Sequence, residues 1–588
     1  MNPPSVLLDD ATPGRERALW FSRPVGGISV MDASGVADAL RQIEQALAAG
    51  RHLAGWMSYE LGYAFEARLS PRQWHARNVP LLWFGVFDSP KPIELNELAP
   101  AARAYASPLR HEWSSPAYSA RFARVHEYIA AGDVYQTNLS FRSRFTFAGD
   151  PLGLYLQLRS RAAAAHGAFI DDGVRQILSL SPELFFAIAS DGRIMARPMK
   201  GTAARGVDEL SDARARTSLA NSPKDRAENL MIVDLLRNDL GRLALIGSVS
   251  VPEIFKVETY PTLHTMVSTV SAQLKPATRV EQIVRALFPC GSVTGTPKIR
   301  AMEIIRELEA SPRGVYCGAI GHFAPDGSAC FNVAIRTVTI SGGEGELGIG
   351  GAVVQDSTAE AEYAECLLKA RYFESVRRPI GLIETLRYHN GFARLERHLD
   401  RMRNSAAALA LPFERAAAIG ALDAAVRQTG GPLRVRLALS EDGAFSCSAT
   451  PLGISPAIWS YAISPQRVNS ADPLLRHKST WREFYDDERA RLAASTGCDE
   501  VIFLNERDEL AEGSRTNIFV RQGDLLVTPA LAAGVLDGVL RRELIETGKC
   551  REQVLTLNDL RGEVFLGNSL RGLTAARPAQ PSEYLRNS

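Results

Sequence analysis

The chain changes character once, at Arg377, Arg378, Pro379 and Gly381, and that change limits the folds open to it. Proline lacks a backbone N–H and restricts the residue before it, and glycine weakens helix and strand alike. Before this point, segments of helical and alternating period follow one another without a low-complexity linker; a new pattern starts at Ile383. The chain has 588 residues, too many for one ordinary core. Two domains are therefore expected, 1–376 and 377–588. The first divides into a smaller part, 1–110, and a core, 115–376.

Periodicity predicts a mixed α/β chain. Helices are expected over 36–49, 118–131, 151–165, 223–239, 280–287, 299–308, 360–375 and within 392–410. Strands are expected over 81–87, 134–145, 331–340 and 347–354, and as one alternating run from Leu184 to Met195. That run enters the segment Arg197, Pro198, Met199, Lys200, Gly201, Thr202, which reads as a tight turn holding Lys200 at a strand end.

Composition removes several classes of function. Hydrophobic residues make up 46% and charged residues 23%, as in a globular enzyme, and the net charge of +1 provides no global attraction to nucleic acid. The seven cysteines are far apart and odd in number, so neither a disulfide framework nor a metal cluster is expected. The first ten residues lack a basic and an apolar signal region, and no apolar run is long enough to cross a bilayer. A cytoplasmic location without membrane or nucleic-acid partners is the expectation.

Some residues admit two readings. The glycine- and hydroxyl-rich segment 291–298 runs into a helix, which suits either a helix cap or an anion site. It lacks P-loop spacing. Glu228, Glu362 and Glu365 fall on two predicted helices and in isolation read as solvated positions.

Four blocks, 225–241, 291–298, 331–337 and 361–369, with 132–140 in support, carry a resemblance. Residues 1 to about 376 resemble the chorismate-utilising family, which includes anthranilate, aminodeoxychorismate and isochorismate synthases. The resemblance implies a large β-sandwich with flanking helices. It implies Mg²⁺ on Glu228 and Glu365 with Glu362 close by, and chorismate held by Tyr316, Arg336, Thr296 and amides around Gly348 and Gly351. It implies His264 near the leaving group and Glu183 as general acid/base. Lys200 stands where anthranilate synthases carry alanine and aminodeoxychorismate synthases carry lysine. This implies covalent amination by Lys200 to 4-amino-4-deoxychorismate. No cysteine sits in a glutaminase-type turn, so a separate glutamine amidotransferase is implied as the ammonia source.

Residues from about 382 resemble the fold-type IV pyridoxal phosphate (PLP) enzymes through blocks 392–401, 477–480, 512–519 and 567–572. The resemblance implies a two-subdomain α/β fold, in a family that usually dimerises. Lys478 would carry PLP, and Glu512 would pair with its ring nitrogen. Arg394, Gly538, Val539, Asn568 and Ser569 would hold its phosphate. Leu540 stands where aminotransferases often have threonine. Together the halves imply 4-aminobenzoate synthesis, the second eliminating pyruvate from the product of the first. A transaminase of another substrate in the second half, anthranilate synthesis in the first, and a non-catalytic scaffold remain as alternatives.

Overall fold

The alternating runs of the first half pair into two sheets. One runs, strand by strand, Gly295–Thr296, Gln136–Gly149, Glu344–Val353, Thr337–Ser341, Gln176–Ser181, His166–Asp171, Ser5–Asp10, Arg17–Ser22 and Lys91–Pro92. The other runs Met199–Ala204, Leu263–Gln273, Arg193–Arg197, Leu184–Ile188, Ala329–Val333, Ala319–Phe323, His52–Met57, Leu82–Phe87 and Gly26–Val30. This is a computed structural model, and it describes residues 3–579 apart from 15, 73, 75–76, 96–102, 261–262 and 428–430.

The two sheets share an apolar layer. Phe21, Ile170 and Ile177 of one meet Trp56, Phe87 and Ile320 of the other, and Trp56 stacks on Trp83 at 4.9 Å. Period-two alternation produces this layer by sending every second side chain inward. On the outer face of the second sheet lie the helices Val36–Ala48, Pro223–Gly241 and Val280–Leu287. Their stripes of Leu40 and Ile43, Ile232 and Leu236, and Ile283 and Leu287 join the largest core. On the first sheet, Phe373 of helix Ala359–Glu374 packs against Phe145, and Tyr363 stacks on Phe141. The result is the expected sandwich with flanking helices.

Contacts divide the chain into two units: Met1–Ala101, Pro108–Phe145 and Pro151–Arg377 in one, Ala102–Ser107, Thr146–Asp150 and Arg378–Ser588 in the other. The second unit has two subdomains. Strands Leu382–Tyr388, Leu433–Leu439 and Phe445–Pro451 form a small sheet under helices Leu395–Ala408 and Arg415–Val426. Tyr105 lies in that core and donates its hydroxyl to the Leu409 carbonyl at 3.0 Å. The other subdomain is an eight-stranded mixed sheet in which Ile458–Val468 pairs parallel with both neighbours.

Three sequence expectations are corrected. The strand expected over 331–340 is two strands, Ala329–Val333 and Thr337–Ser341, one in each sheet. Arg336, at φ 50°, turns the chain between them, and the apolar positions shift there from odd (Phe331, Val333, Ile335) to even (Val338, Ile340), a break in alternation that marks the turn. The run 184–195 is a hairpin with Gly192 at φ 79°. Lys200 is in a strand, Met199–Ala204, and a bulge with Gly201 at φ 84° interrupts its register. Helix Glu209–Asn221 was not expected, because it buries only Leu219 and has no apolar stripe.

Arg313 ties the sheets to the segments between them. It is 2% exposed and forks onto Glu309 at 2.7 and 3.0 Å, while donating to the Val293 and Asn138 carbonyls at 2.7 Å each. Glu60 accepts from the Arg313 and Gly314 amides. Arg313→Ala would leave the buried Glu309 carboxylate without its cation and the Val293 and Asn138 carbonyls without their donor. We expect it to cost about 3 kcal/mol or more, measured as a fall in the urea midpoint of the first unit's transition.

Candidate functional site

The bulge at Gly201 decides where Lys200 goes. A Cβ at Gly201 would lie 2.8 Å from Asp225 Cβ and Oδ1, so only glycine lets helix Pro223–Gly241 approach this strand. The approach brings Lys200 and Glu228 into the wall of one cavity of about 460 Å³, together with Glu183, Glu362, Glu365 and Lys369. Burial pushes the Lys200 amine below its ordinary value and Lys369 adds to this, while Glu228, Glu183 and Glu365 oppose it. Burial pushes the Glu183 carboxyl up to about 7, against a hydrogen bond from Ser292 and the charge of Lys200. The cavity thus holds an amine biased toward its neutral form beside a carboxyl able to carry a proton near neutral pH.

The remaining carboxylates stand on two helices. Glu362 accepts from Ser357 Oγ at 2.7 Å, and Glu365 pairs with Lys369 Nζ at 2.9 Å. Burial raises the Glu362 carboxyl. It also acts to raise Glu365, but Lys369, Lys200 and Lys224 outweigh it and hold that group low. Among the described residues, no three acidic, histidine or cysteine side chains enclose a metal by themselves. An oxygen-only donor set on a cavity wall nevertheless fits Mg²⁺, which takes one or two protein carboxylates and completes its shell with water and substrate oxygens.

The same cavity contains an anion-binding end. Arg336 has no carboxylate within ion-pair distance among the described residues, and burial pushes its guanidinium down. Tyr316 and the Gly348 and Gly350 backbone line the wall beside it. A Cβ on Gly348 would come within 2.2 Å of the Tyr316 ring, so this glycine makes room for the tyrosine.

Three anticipated residues are not on this wall. His264 is 1% exposed and held by Asp212 at 3.0 Å and Thr259 at 2.9 Å. Thr296 pairs with Gln136 in the first sheet. Gly351 lies behind Glu362, whose Oε2 is 3.0 Å from the site of a glycine Cβ. Conversely, Lys224 and Tyr372 line the cavity unannounced, because each reads in sequence as an ordinary helical position.

The second unit has its own cavity, of about 730 Å³, lined by Lys478, Glu512, Asn517, Gly538, Val539, Asn568 and Ser569. Burial pushes Lys478 down to about 8, and Arg401 and Arg482 add to this. Glu512 accepts from the Tyr485 hydroxyl at 2.8 Å and the Leu536 amide at 2.9 Å. Burial pushes it up to about 7. A Cβ on Gly538 would lie 1.9 Å from Asn517 Oδ1, so glycine is required where helix Val539–Glu546 begins.

Arg394 was expected at the phosphate and is not on the wall; its Nε binds Glu543 at 2.5 Å. Arg401 lines the cavity instead, forked onto Glu384 at 2.6 and 2.8 Å. Helical spacing would put residues seven apart on one face, but Arg394, at φ 57°, caps helix Leu395–Ala408 from outside it while Arg401 lies within it. His398 continues the network from Glu384 to the Ser569 hydroxyl. A buried lysine, a carboxyl, a glycine-led helix start and an arginine together fit PLP.

Comparison with known proteins agrees with this division. Residues 4–375 match the chorismate binding enzyme family, and residues 381–578 match amino-transferase class IV. Aminodeoxychorismate synthase component 1 of Escherichia coli is 46% identical over 261 residues, 44% of this chain and 57% of that protein. The Bacillus subtilis protein of that name is 37% identical over 280 residues, 47% of this chain and 58% of that one. The chain thus spans little more than half the length of these relatives. Anthranilate synthase component I from Streptococcus pneumoniae superposes with a TM-score of 0.54 at 24% identity, over 63% of this chain and 93% of that one; this likeness concerns the fold.

The electrostatics around Lys200 can be tested without substrate. Lys369→Met removes a cation that depresses the Lys200 amine. Lys200 should then hold its proton to higher pH, and its labelling by an amine-reactive reagent at mildly alkaline pH should slow roughly threefold. Mass spectrometry of the labelled peptide checks this.

Proposed function

Because the chain belongs to the chorismate binding enzyme family and carries an amino-transferase class IV domain, we propose that it makes 4-aminobenzoate in two steps, from chorismate and ammonia. The observation that carries this reading is that Lys200 and Glu183 line one cavity with three further glutamates. Anthranilate chemistry does not need the lysine. The first unit would aminate chorismate, and the second would release pyruvate from the product. A glutamine amidotransferase subunit would supply ammonia. We place the protein in the cytoplasm; among the described residues no helix is long and apolar enough to cross a membrane.

In the first cavity, Arg336 and Tyr316 hold the enolpyruvyl carboxylate. Glu228 and Glu365, with Glu362, would hold Mg²⁺ against the ring carboxylate, where the ion would supply Lewis acidity. The neutral Lys200 amine bonds to ring C2, both ring double bonds shift, C1=C2 to C1=C6 and C5=C6 to C4=C5, and the C4 hydroxyl leaves as water with a proton from Glu183. Ammonia then bonds to C4, both double bonds return and the C2–N bond to Lys200 breaks. Atoms balance, with one water released and one ammonia consumed.

In the second cavity, Arg401, Ser569 and the Gly538–Val539 backbone would hold the phosphate of PLP, Glu512 its ring nitrogen and Lys478 its aldehyde carbon. PLP would supply an electron sink. Lys478 moves the proton from the amino-bearing carbon, the C3–O bond breaks, and pyruvate and 4-aminobenzoate account for every atom of the intermediate.

Purified chain given chorismate, Mg²⁺, ammonia and PLP should yield 4-aminobenzoate and pyruvate in equal amounts. Accumulated aminodeoxychorismate without 4-aminobenzoate would support a transaminase of another substrate in the second unit; 2-aminobenzoate would support anthranilate synthesis. Lys200→Ala should reduce ammonia-dependent synthesis roughly hundredfold or more while the second step on supplied intermediate persists. For wild type, the first step should decline as pH rises through about 7, where Glu183 loses its proton. Glu183→Gln should be slower by roughly two orders of magnitude or more and should lose that decline.

A further inference from the structure

The second cavity carries more positive charge than its cofactor requires. Arg401, Arg434, Arg482, Arg489 and Arg515 all line it. Arg401 is neutralised by the buried Glu384 and serves the phosphate end. Arg482 reaches Asp486 at 3.7 Å and the Ser514 carbonyl. Among the described residues, Arg434 and Arg489 have no carboxylate within ion-pair distance, and the buried Nε of Arg489 has no hydrogen-bond partner.

The nearby acids are already committed. Asp499 Oδ2 accepts from the Ser460 amide and hydroxyl at 2.8 and 2.7 Å. Glu500 accepts from the Ser514 and Thr516 hydroxyls and, at 3.2 Å, from the Arg515 amide. Among the described residues, the Arg515 guanidinium donates only to the Asp499 carbonyl, at 3.1 Å. Burial pushes Arg515 down, and Arg489, Arg434 and Arg482 push the same way against Glu500. Gathering like charges without counterions costs free energy that a bound anion returns. Arg482 acts on both Lys478 and Arg515, which sets the cluster beside the reacting amine.

We infer that Arg489 and Arg515, completed by Arg434, form a second anion subsite that binds a substrate carboxylate remote from the reacting carbon. The subsite restricts the second unit to amines carrying a carboxylate away from the amino-bearing carbon. It rests on the proposed function and deepens it: the amino-bearing carbon of aminodeoxychorismate has no carboxylate of its own, and both of its carboxylates lie elsewhere on the molecule. An α-amino acid instead places its carboxylate on the reacting carbon.

The test uses full-length holoenzyme with Arg336→Gln, which weakens anion binding in the first cavity. Calorimetry compares benzene-1,3-dicarboxylate with benzoate, and steady-state kinetics follow supplied aminodeoxychorismate. We expect the dicarboxylate to bind roughly tenfold more tightly than benzoate, as one charge-assisted fork allows. Arg489→Gln and Arg515→Gln should each abolish that preference and raise KM roughly tenfold with a smaller change in kcat. Arg489→Lys should recover part of it. PLP absorbance reports that each variant still folds and loads. Unchanged KM and unchanged dicarboxylate preference in both glutamine variants would overturn the subsite. No turnover of aminodeoxychorismate by the parent, with the dicarboxylate preference intact, would overturn the proposed function and leave the subsite standing.

Discussion

Arg313 holds the first cavity in shape. Its guanidinium binds Glu309 and also fixes the Val293 and Asn138 carbonyls, and both of those residues line the cavity. Ser292, next to Val293, is the hydroxyl that bonds Glu183. A long-range hydrogen-bond network therefore sets the position of a proton donor from a charge that never touches the cavity's contents. A buried arginine suits this role because its planar fork can satisfy a carboxylate and two carbonyls at once, and because removing it leaves a buried anion unpaired.

The two cavities solve one problem in the same way. Each needs an amine that can lose its proton, and the first also needs a carboxyl that can keep one. Burial drives both groups toward neutrality, as it depresses Lys200 and Lys478 and raises Glu183 and Glu512. Neighbouring cations strengthen the effect on the lysines: Lys369 in the first cavity, Arg401 and Arg482 in the second. In the second cavity Arg401 would also hold the phosphate of the proposed cofactor, so one charge serves both proton control and binding.

Much of this was legible along the chain. Helix 280–287 was expected with the ends it has, and Glu362 and Glu365 share a helix that spacing identifies. Lys200 was singled out by its neighbours Pro198 and Gly201, although the turn expected there is a bulged strand. What escaped was partner choice. The chain passes from one sheet to the other at Arg336, and a period of two does not report which sheet a strand joins. Arg394 and Arg401 are seven residues apart in sequence, and only the fold shows that one caps the helix and meets Glu543 while the other reaches the cavity.

The sequence by itself determined the mixed α/β class, the two families of motif and the residue types able to do the chemistry, because these depend on local period and on residue identity. Tertiary structure alone decided which groups meet. Lys200 faces Glu228 because glycine at 201 lets a helix come close, and Tyr316 fits because residue 348 is glycine. It also decided that Arg489 and Arg515 share a wall while the nearby acids are bound elsewhere. Burial and charge, which set proton affinity, are sums over neighbours distant in sequence, and only the folded chain assembles them.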